Sequence, residues 1–210
     1  MQRPWDARLA RCLVRRLKDS RVTPNQLTTA RLLVGLGAAA AFVPGTYGWS
    51  NAGAVLFAVS NFLDHSDGEL ARISGKSSRA GHIYDLASDA IVTILAFVAI
   101  GIGVGARTPV ALPLPAAVLG SLAGCAIALI FFLRMRIEER LGKAGTVQAS
   151  LGGFETEDVL YLLPLATLCD GTVPLLIASA LCAPLYAVWV VFEYRRVMQR
   201  RQLRSIQNPG

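Results

Sequence analysis

Long apolar segments recur along this chain and are separated by short clusters of charged residues. A helix needs about 20 mostly apolar residues to cross a bilayer core of about 30 Å. Because 53% of the residues are hydrophobic and only 17% are charged, burial in a soluble core does not account for these segments. The sequence therefore predicts an all-α integral membrane protein.

Six transmembrane helices are predicted, although two of the apolar runs are too short to span the membrane alone. The second run becomes long enough only if its helix continues through Asp64 to Arg72, and the third run is extended in the same way by residues 81–89. The runs lie at residues 27–43, 52–63, 90–106, 110–133, 159–169 and 172–192.

Residues 1–22 precede the first predicted span and are expected to form an amphipathic helix on the cytoplasmic face. Trp5 is followed by leucines at every fourth position, with arginines between them. This pattern is typical of a helix that lies in the membrane interface. The two following units are a six-helix membrane domain over residues 23–194 and a basic cytoplasmic tail over residues 195–210.

The basic residues predict how the chain is oriented in the membrane. With six spans both termini lie on one side, and every Lys and Arg except Arg107 falls on that side. The positive-inside rule makes this side cytoplasmic. The asymmetry accounts for the net charge of +7, so no nucleic-acid partner is expected. The predicted location is multi-pass, in a membrane of the bacterial inner-membrane type, with both termini facing the cytoplasm.

Four aspartates between the second and third apolar runs are candidate metal ligands. Asp64 and Asp67 are spaced i, i+3, and Asp85 and Asp89 are spaced i, i+4, so each pair shares one face of a helix. Both pairs fall on the predicted cytoplasmic side. Carboxylates are hard oxygen ligands that suit Mg²⁺ or Mn²⁺, and without cations four of them at one site would repel one another. Two pairs predict two divalent ions.

The residues between the two acidic pairs favour a phosphate-containing ligand. Gly68 and Ala71 leave room beside the backbone, while Arg72, Ser78 and Arg79 offer hydrogen-bond donors. A nucleotide diphosphate bridged by metal ions suits this set, with a free carboxylate taking a proton from an attacking hydroxyl. The alternative is a solvated loop in which the aspartates cap helices and pair with basic residues.

The acidic stretch resembles the signature of the CDP-alcohol phosphotransferases (CDP-alcohol phosphatidyltransferases), D-x2-D-G-x2-A-R-x8-G-x3-D-x3-D, at every fixed position. The segment T-P-N-Q-L-T, residues 23–28, is similar to the one that opens the first span in that family. The resemblance implies transfer of a substituted phosphate, in first place phosphatidyl from CDP-diacylglycerol, to a small polar alcohol with release of CMP in phospholipid biosynthesis. The fixed positions are Asp64, Asp67, Gly68, Ala71, Arg72, Gly81, Asp85 and Asp89.

The resemblance also implies roles for individual residues. Asp64, Asp67 and Asp85 would be ligands of two divalent ions, Mg²⁺ or Mn²⁺, and Asp89 would be the general base and a further metal ligand. Expected partners are a CDP-linked lipid, a small alcohol and the bilayer, and homodimers are common in the family. The implied CDP-binding residues are Asn25, Thr28, Gly68, Ala71, Arg72 and Ser78. The candidate acceptor-binding residues are Arg79, His82 and Arg134.

Two alternatives remain open beside this interpretation. In the first alternative, the reaction is the same but the donor is a soluble CDP-alcohol such as CDP-inositol. In a different class, the chain is a divalent-cation transporter that uses intramembrane aspartates. The clustering of the acids at one membrane face and the lack of an inverted repeat between the two halves argue against a transporter.

Overall fold

The computed structural model describes residues 14, 20, 22–75, 78–107, 112, 114–141 and 160–207, without the side chains of residues 138–141 and 200–207. Every regular element in these ranges is helical, which confirms the predicted all-α class. The helices are α1 (Pro24–Phe42), α2 (Tyr47–Ser74), α3 (Arg79–Arg107), α4 (Ala116–Leu141), α5 (Leu163–Leu168) and α6 (Thr172–Gln207).

Within the described residues, three helices are long and apolar enough to cross a membrane, and they indicate a membrane protein. These segments belong to α3, α4 and α6 and cover Arg79–Arg107, Ala116–Ile137 and Thr172–Gln199. Six transmembrane helices are therefore not confirmed. The described part of the fifth predicted span contains a 3₁₀ turn at residues 160–162 and the helix α5 of 6 residues. Helix α5 is about 9 Å long at 1.5 Å per residue, which is too short to cross a bilayer alone.

The two ends of the chain are described unequally. Of the predicted N-terminal amphipathic helix over residues 1–22, only Val14, Ser20 and Val22 lie within the described residues. At the other end, α6 continues without a break to Gln207. The first part of the predicted basic tail is thus helical.

Local sequence explains where α1 begins. Thr23 caps the helix, because its Oγ1 accepts a hydrogen bond from the Gln26 N–H at 3.3 Å. In return Gln26 Oε1 accepts the Thr23 N–H at 2.9 Å, which completes a capping box. Pro24 occupies the first turn, where its missing N–H would have no partner within the helix.

Helix α1 lies between α2 and α3. It packs along both of them, whereas α2 and α3 contact each other at few positions. Farther along the chain α3 packs on α4, α4 on α6, and α5 on α2. The apolar core includes Phe42 of α1, Phe57 of α2 and Ile100 of α3, all nearly inaccessible to solvent. This arrangement sets the first turns of α1 beside the last turns of α2 and the first turns of α3, which carry the four aspartates.

Candidate active site

Three of the four aspartates converge where α2 ends and α3 begins. One carboxylate oxygen from each of Asp64, Asp67 and Asp85 lies within 4.8 Å of the other two. The side chains of Asp64 and Asp85 are 32% and 35% exposed, whereas Asp67 is 4% exposed. The triad therefore has a buried floor and an open side from which a cation can approach.

Asp89 lies one helical turn beyond Asp85 and is not a member of the triad. Its side chain is 28% exposed, and its Oδ1 lies 3.8 Å from Nη1 of Arg31. Asp89 thus shares its cationic partner, Arg31, with two members of the triad, Asp64 and Asp85. Its assignment as general base and metal ligand stays a prediction.

Helix α1 supplies two polar side chains that bind all four carboxylates. Thr28 Oγ1 donates a hydrogen bond of 2.7 Å to Asp67 Oδ2. Arg31 Nη1 donates to Asp64 Oδ1, and Arg31 is also ion-paired with Asp85 and Asp89. The sequence prediction did not include Arg31 in the site. Its spacing of three residues from Thr28, which places both side chains on one helix face, is the signal that points to it.

The triad fits a hard divalent cation. Its three carboxylates are the oxygen donors that Mg²⁺ and Mn²⁺ prefer. Asp85 Oδ1 is buried and accepts no hydrogen bond from the described part of the chain, although Arg31 Nη2 lies 3.4 Å away. A buried carboxylate oxygen normally has a partner, so this atom is suited to a metal ligand.

Space for a ligand lies beside α2 at Gly68. A Cβ added at Gly68 would meet no atom within 4 Å. One turn farther on, the Arg72 side chain is 68% exposed and lies 3.7 Å from a Glu69 carboxylate oxygen. Ala71, between them, is half-buried. This surface of α2 therefore combines an open backbone with an accessible guanidinium, as a phosphate-containing ligand requires.

The glycine of the signature at position 81 permits close contact between α1 and α3. A Cβ on Gly81 would lie 2.8 Å from Asn25 Oδ1 and 3.0 Å from Ser78 Oγ. Ser78 Oγ also accepts the Gly81 N–H at 3.0 Å. Two residues predicted to bind CDP, Asn25 and Ser78, are thus brought together at the edge of the site by a residue without a side chain.

The three candidate acceptor-binding residues fall in two places. Arg79 and His82 lie in the first turn of α3, and His82 is close enough to Asp85 to interact with it electrostatically. Arg134 on α4 is bound to α6, because its Nη2 donates to the Tyr186 hydroxyl at 2.8 Å and its Nη1 lies 3.2 Å from Glu193 Oε2. The partners of Arg134 on α6 are not among the predicted site residues.

Comparison with known proteins agrees with the geometry of the site. The family profile of CDP-alcohol phosphatidyltransferases matches residues 21–192, which is more than four fifths of the chain. A comparison with curated proteins found no match. Because the profile covers all six described helices in whole or in large part, including both helices that carry the aspartates, the chain belongs to the CDP-alcohol phosphatidyltransferase family, whose members are transferases of substituted phosphate groups.

Proposed function

We propose that this protein transfers a phosphatidyl group from CDP-diacylglycerol to the hydroxyl of a small polar alcohol, with release of CMP, as a step in phospholipid biosynthesis. Membership of the family supports the type of reaction, which is phosphate transfer from a CDP-alcohol. The observation that carries metal dependence is the convergence of Asp64, Asp67 and Asp85 within 4.8 Å. Hard oxygen donors in that number suit Mg²⁺ or Mn²⁺.

The donor would bind along α2. Gly68 lies one helical turn beyond Asp64, a member of the triad, so a diphosphate beside the open backbone at Gly68 would lie on the helix face that carries Asp64. Arg72, exposed on the following turn, provides a positive charge for a phosphate oxygen. Asn25 and Thr28 approach from α1, and Ser78 from the start of α3. This placement supports the predicted CDP-binding set.

The proposed chemistry requires one proton acceptor. Asp89 takes the proton from the acceptor hydroxyl. The resulting oxygen attacks the phosphorus that carries the alcohol of the donor, a new P–O bond forms, and the P–O bond to CMP breaks. Two divalent ions held by Asp64, Asp67, Asp85 and Asp89 would neutralise the diphosphate and the leaving CMP. The proton passes from Asp89 to water after the product leaves.

The site is proposed to face the cytoplasm in a bacterial-type inner membrane. Support comes from the charge asymmetry, since Arg107 lies at the end of α3 opposite the aspartates. By the positive-inside rule the end that carries the aspartates is cytoplasmic, together with both termini. A homodimer is the assembly that the family resemblance favours.

The test is a reconstituted transfer reaction. The purified full chain is incubated in mixed micelles with Mg²⁺ or Mn²⁺, CDP-diacylglycerol and a panel of alcohols, and both CMP and the lipid product are identified by mass. We expect equal amounts of CMP and product with one class of alcohol. A second set of reactions uses CDP-inositol as the donor with an alcohol acceptor. Product formation only in this second set would identify the soluble CDP-alcohol, rather than CDP-diacylglycerol, as the donor.

A matched pair of variants tests the assigned base. Asp89→Asn should abolish CMP release while the membrane fold stays intact, because the amide has the size of the carboxyl group but cannot accept the proton. Asp170→Asn is the control, since Asp170 lies between α5 and α6 with φ of 53°, a conformation that asparagine tolerates. Equal turnover of Asp89→Asn and the unmodified chain would refute the assignment. Divalent-cation flux into vesicles without CMP release would favour the transporter.

A further inference from the structure

Arg31 is buried at the centre of the candidate active site. Its side chain is 2% exposed and contacts residues of both neighbouring helices. One terminal nitrogen, Nη1, donates to Asp64 Oδ1 and lies 3.8 Å from Asp89 Oδ1. The other, Nη2, donates to the Asp85 carbonyl oxygen at 2.8 Å and lies 3.4 Å from Asp85 Oδ1. A single guanidinium therefore interacts with three of the four signature carboxylates.

The backbone around Arg31 is held in place by close packing. The Arg31 carbonyl oxygen accepts a hydrogen bond of 3.0 Å from Ser60 Oγ on α2. One turn farther along α1, a Cβ on Gly35 would lie 2.5 Å from Val92 on α3 and 3.0 Å from Ser60 Oγ. The three helices thus approach closely at this level. The guanidinium projects from a fixed backbone position into the site.

Arg31 and a divalent cation would interact with the same carboxylates. Of the three carboxylates that converge, Asp64 and Asp85 are both paired with Arg31. A buried guanidinium is costly unless carboxylates compensate it, and a group of buried carboxylates is costly unless cations compensate them. When no metal is bound, the guanidinium and the carboxylates compensate one another's charge. When a metal binds, the ion and the guanidinium compete for the carboxylates.

We propose that Arg31 is a positioning residue that serves as the counter-ion of the metal-free site and is displaced from Asp64 when a divalent cation binds. The inference rests on the metal site of the proposed function. Arg31 keeps the carboxylates close to one another before the metal arrives, and it links α1 to α2 and α3. The released guanidinium stays beside Asp85 through its second terminal nitrogen, Nη2.

Removal of the positive charge should have opposite effects on the two states. In Arg31→Gln the metal-free protein contains uncompensated carboxylates, so its thermal unfolding temperature in EDTA should fall. The same variant should bind Mn²⁺ about tenfold more tightly, because no internal cation competes or repels. Arg31→Lys retains a positively charged group beside the carboxylates and should bind Mn²⁺ less tightly than Arg31→Gln, because like charges repel.

The experiment measures metal binding rather than turnover. Free Mn²⁺ is titrated by electron paramagnetic resonance against the purified full chain and both variants, and thermal unfolding is followed in EDTA and in Mn²⁺. Arg107→Gln, at the opposite end of α3, is the control for loss of a positive charge. If Arg31→Gln does not survive purification in EDTA, it is purified in Mn²⁺. Its Mn²⁺ affinity is then compared with that of Arg31→Lys, and tighter binding by Arg31→Gln supports the displacement.

Each outcome supports or overturns the displacement. Tighter Mn²⁺ binding by Arg31→Gln, with a larger stabilisation by Mn²⁺ than in the unmodified chain, supports it. Weaker or unchanged binding by a folded Arg31→Gln overturns it, because Arg31 would then orient the ligands without competing for them. Failure of the unmodified chain itself to bind Mn²⁺ refutes the metal site of the proposed function, which is a distinct result.

Discussion

Replacement of Thr28 by valine tests how the buried floor of the metal site is built. The two side chains have nearly the same shape, so the substitution removes little more than the hydroxyl group. That hydroxyl donates to Asp67 Oδ2 at 2.7 Å, a shorter contact than its 3.2 Å contact with the Pro24 carbonyl. Thr28 is 2% exposed and Asp67 is 4% exposed. Water therefore cannot easily replace the lost donor.

The expected cost follows from the charge and burial of the acceptor. A hydrogen bond to a charged group contributes about 1.5–3 kcal/mol, and a buried acceptor left without a donor loses that amount. For a chain of this size, each kcal/mol corresponds to roughly 2–4 °C in the unfolding temperature. The Thr28→Val variant should thus unfold about 3–12 °C lower. Because Thr28 orients a predicted metal ligand, metal affinity should fall roughly 10–100-fold, the usual effect of removing such an orienting partner.

Thr29→Val is the matched control on the adjacent residue. Its Oγ1 lies 3.0 Å from the Tyr84 hydroxyl in an exposed position, where water can take over the lost contact. The assays are thermal unfolding in detergent and CMP release as a function of Mg²⁺ concentration. Thr28→Val should need more Mg²⁺ for half-maximal rate, whereas Thr29→Val should follow the unmodified chain. Equal unfolding temperatures and equal Mg²⁺ requirements for the two variants would refute this explanation of the site.

Three further predictions concern packing, an ion pair and the metal. Gly81→Ala should lower CMP release about tenfold, because the new Cβ would lie 2.8 Å from Asn25 Oδ1 and would displace this predicted CDP-binding side chain. Gly37→Ala, with no atom within 4 Å of its Cβ, should be active; equal activity of the two variants would contradict the displacement of Asn25. Arg134→Met should lower the free energy of unfolding by about 2 kcal/mol by leaving Glu193 unpaired, and a double-mutant cycle with Glu193→Gln should show coupling. Chelation by EDTA should abolish CMP release, and excess Mn²⁺ should restore it; turnover in EDTA would contradict metal dependence.

The parts of the site that depend on local spacing could be predicted from the sequence. Asp64 and Asp67 share a face because they are three residues apart in a helix, and Asp85 belongs to the helix that follows after a short connection. The structure brings these three together. The signature glycine at position 81 was also recognisable, although its steric reason, the nearby Asn25 side chain, required the structure.

The parts that depend on packing between distant segments could not be predicted. Arg31 reaches Asp85 only because α1 lies between α2 and α3, and no spacing within α1 shows which helices will flank it. The fifth predicted span is a similar case, because an apolar run alone does not determine how many of its residues become helical. Its described part is the short helix Leu163–Leu168. Hydropathy likewise places Arg134 near a membrane face without showing that its partners lie on α6.

The distribution of polar side chains explains why α1 and α2 fall outside the segments that hydropathy identifies as spans. Each helix buries a charged site residue, Arg31 at 2% and Asp67 at 4% exposed, and exposes large apolar residues, among them Leu33 at 64% and Val55 at 55%. In water this arrangement would be unfavourable, because large apolar side chains would be hydrated while charges were buried. In a bilayer it is favourable, since the outer side chains meet lipid and the inner charges compensate one another. A mean hydropathy averages the two faces and so underestimates helices that carry a polar site. This combination of buried charge and exposed apolar side chains supports the proposal that α1 and α2 are among the helices that cross the membrane.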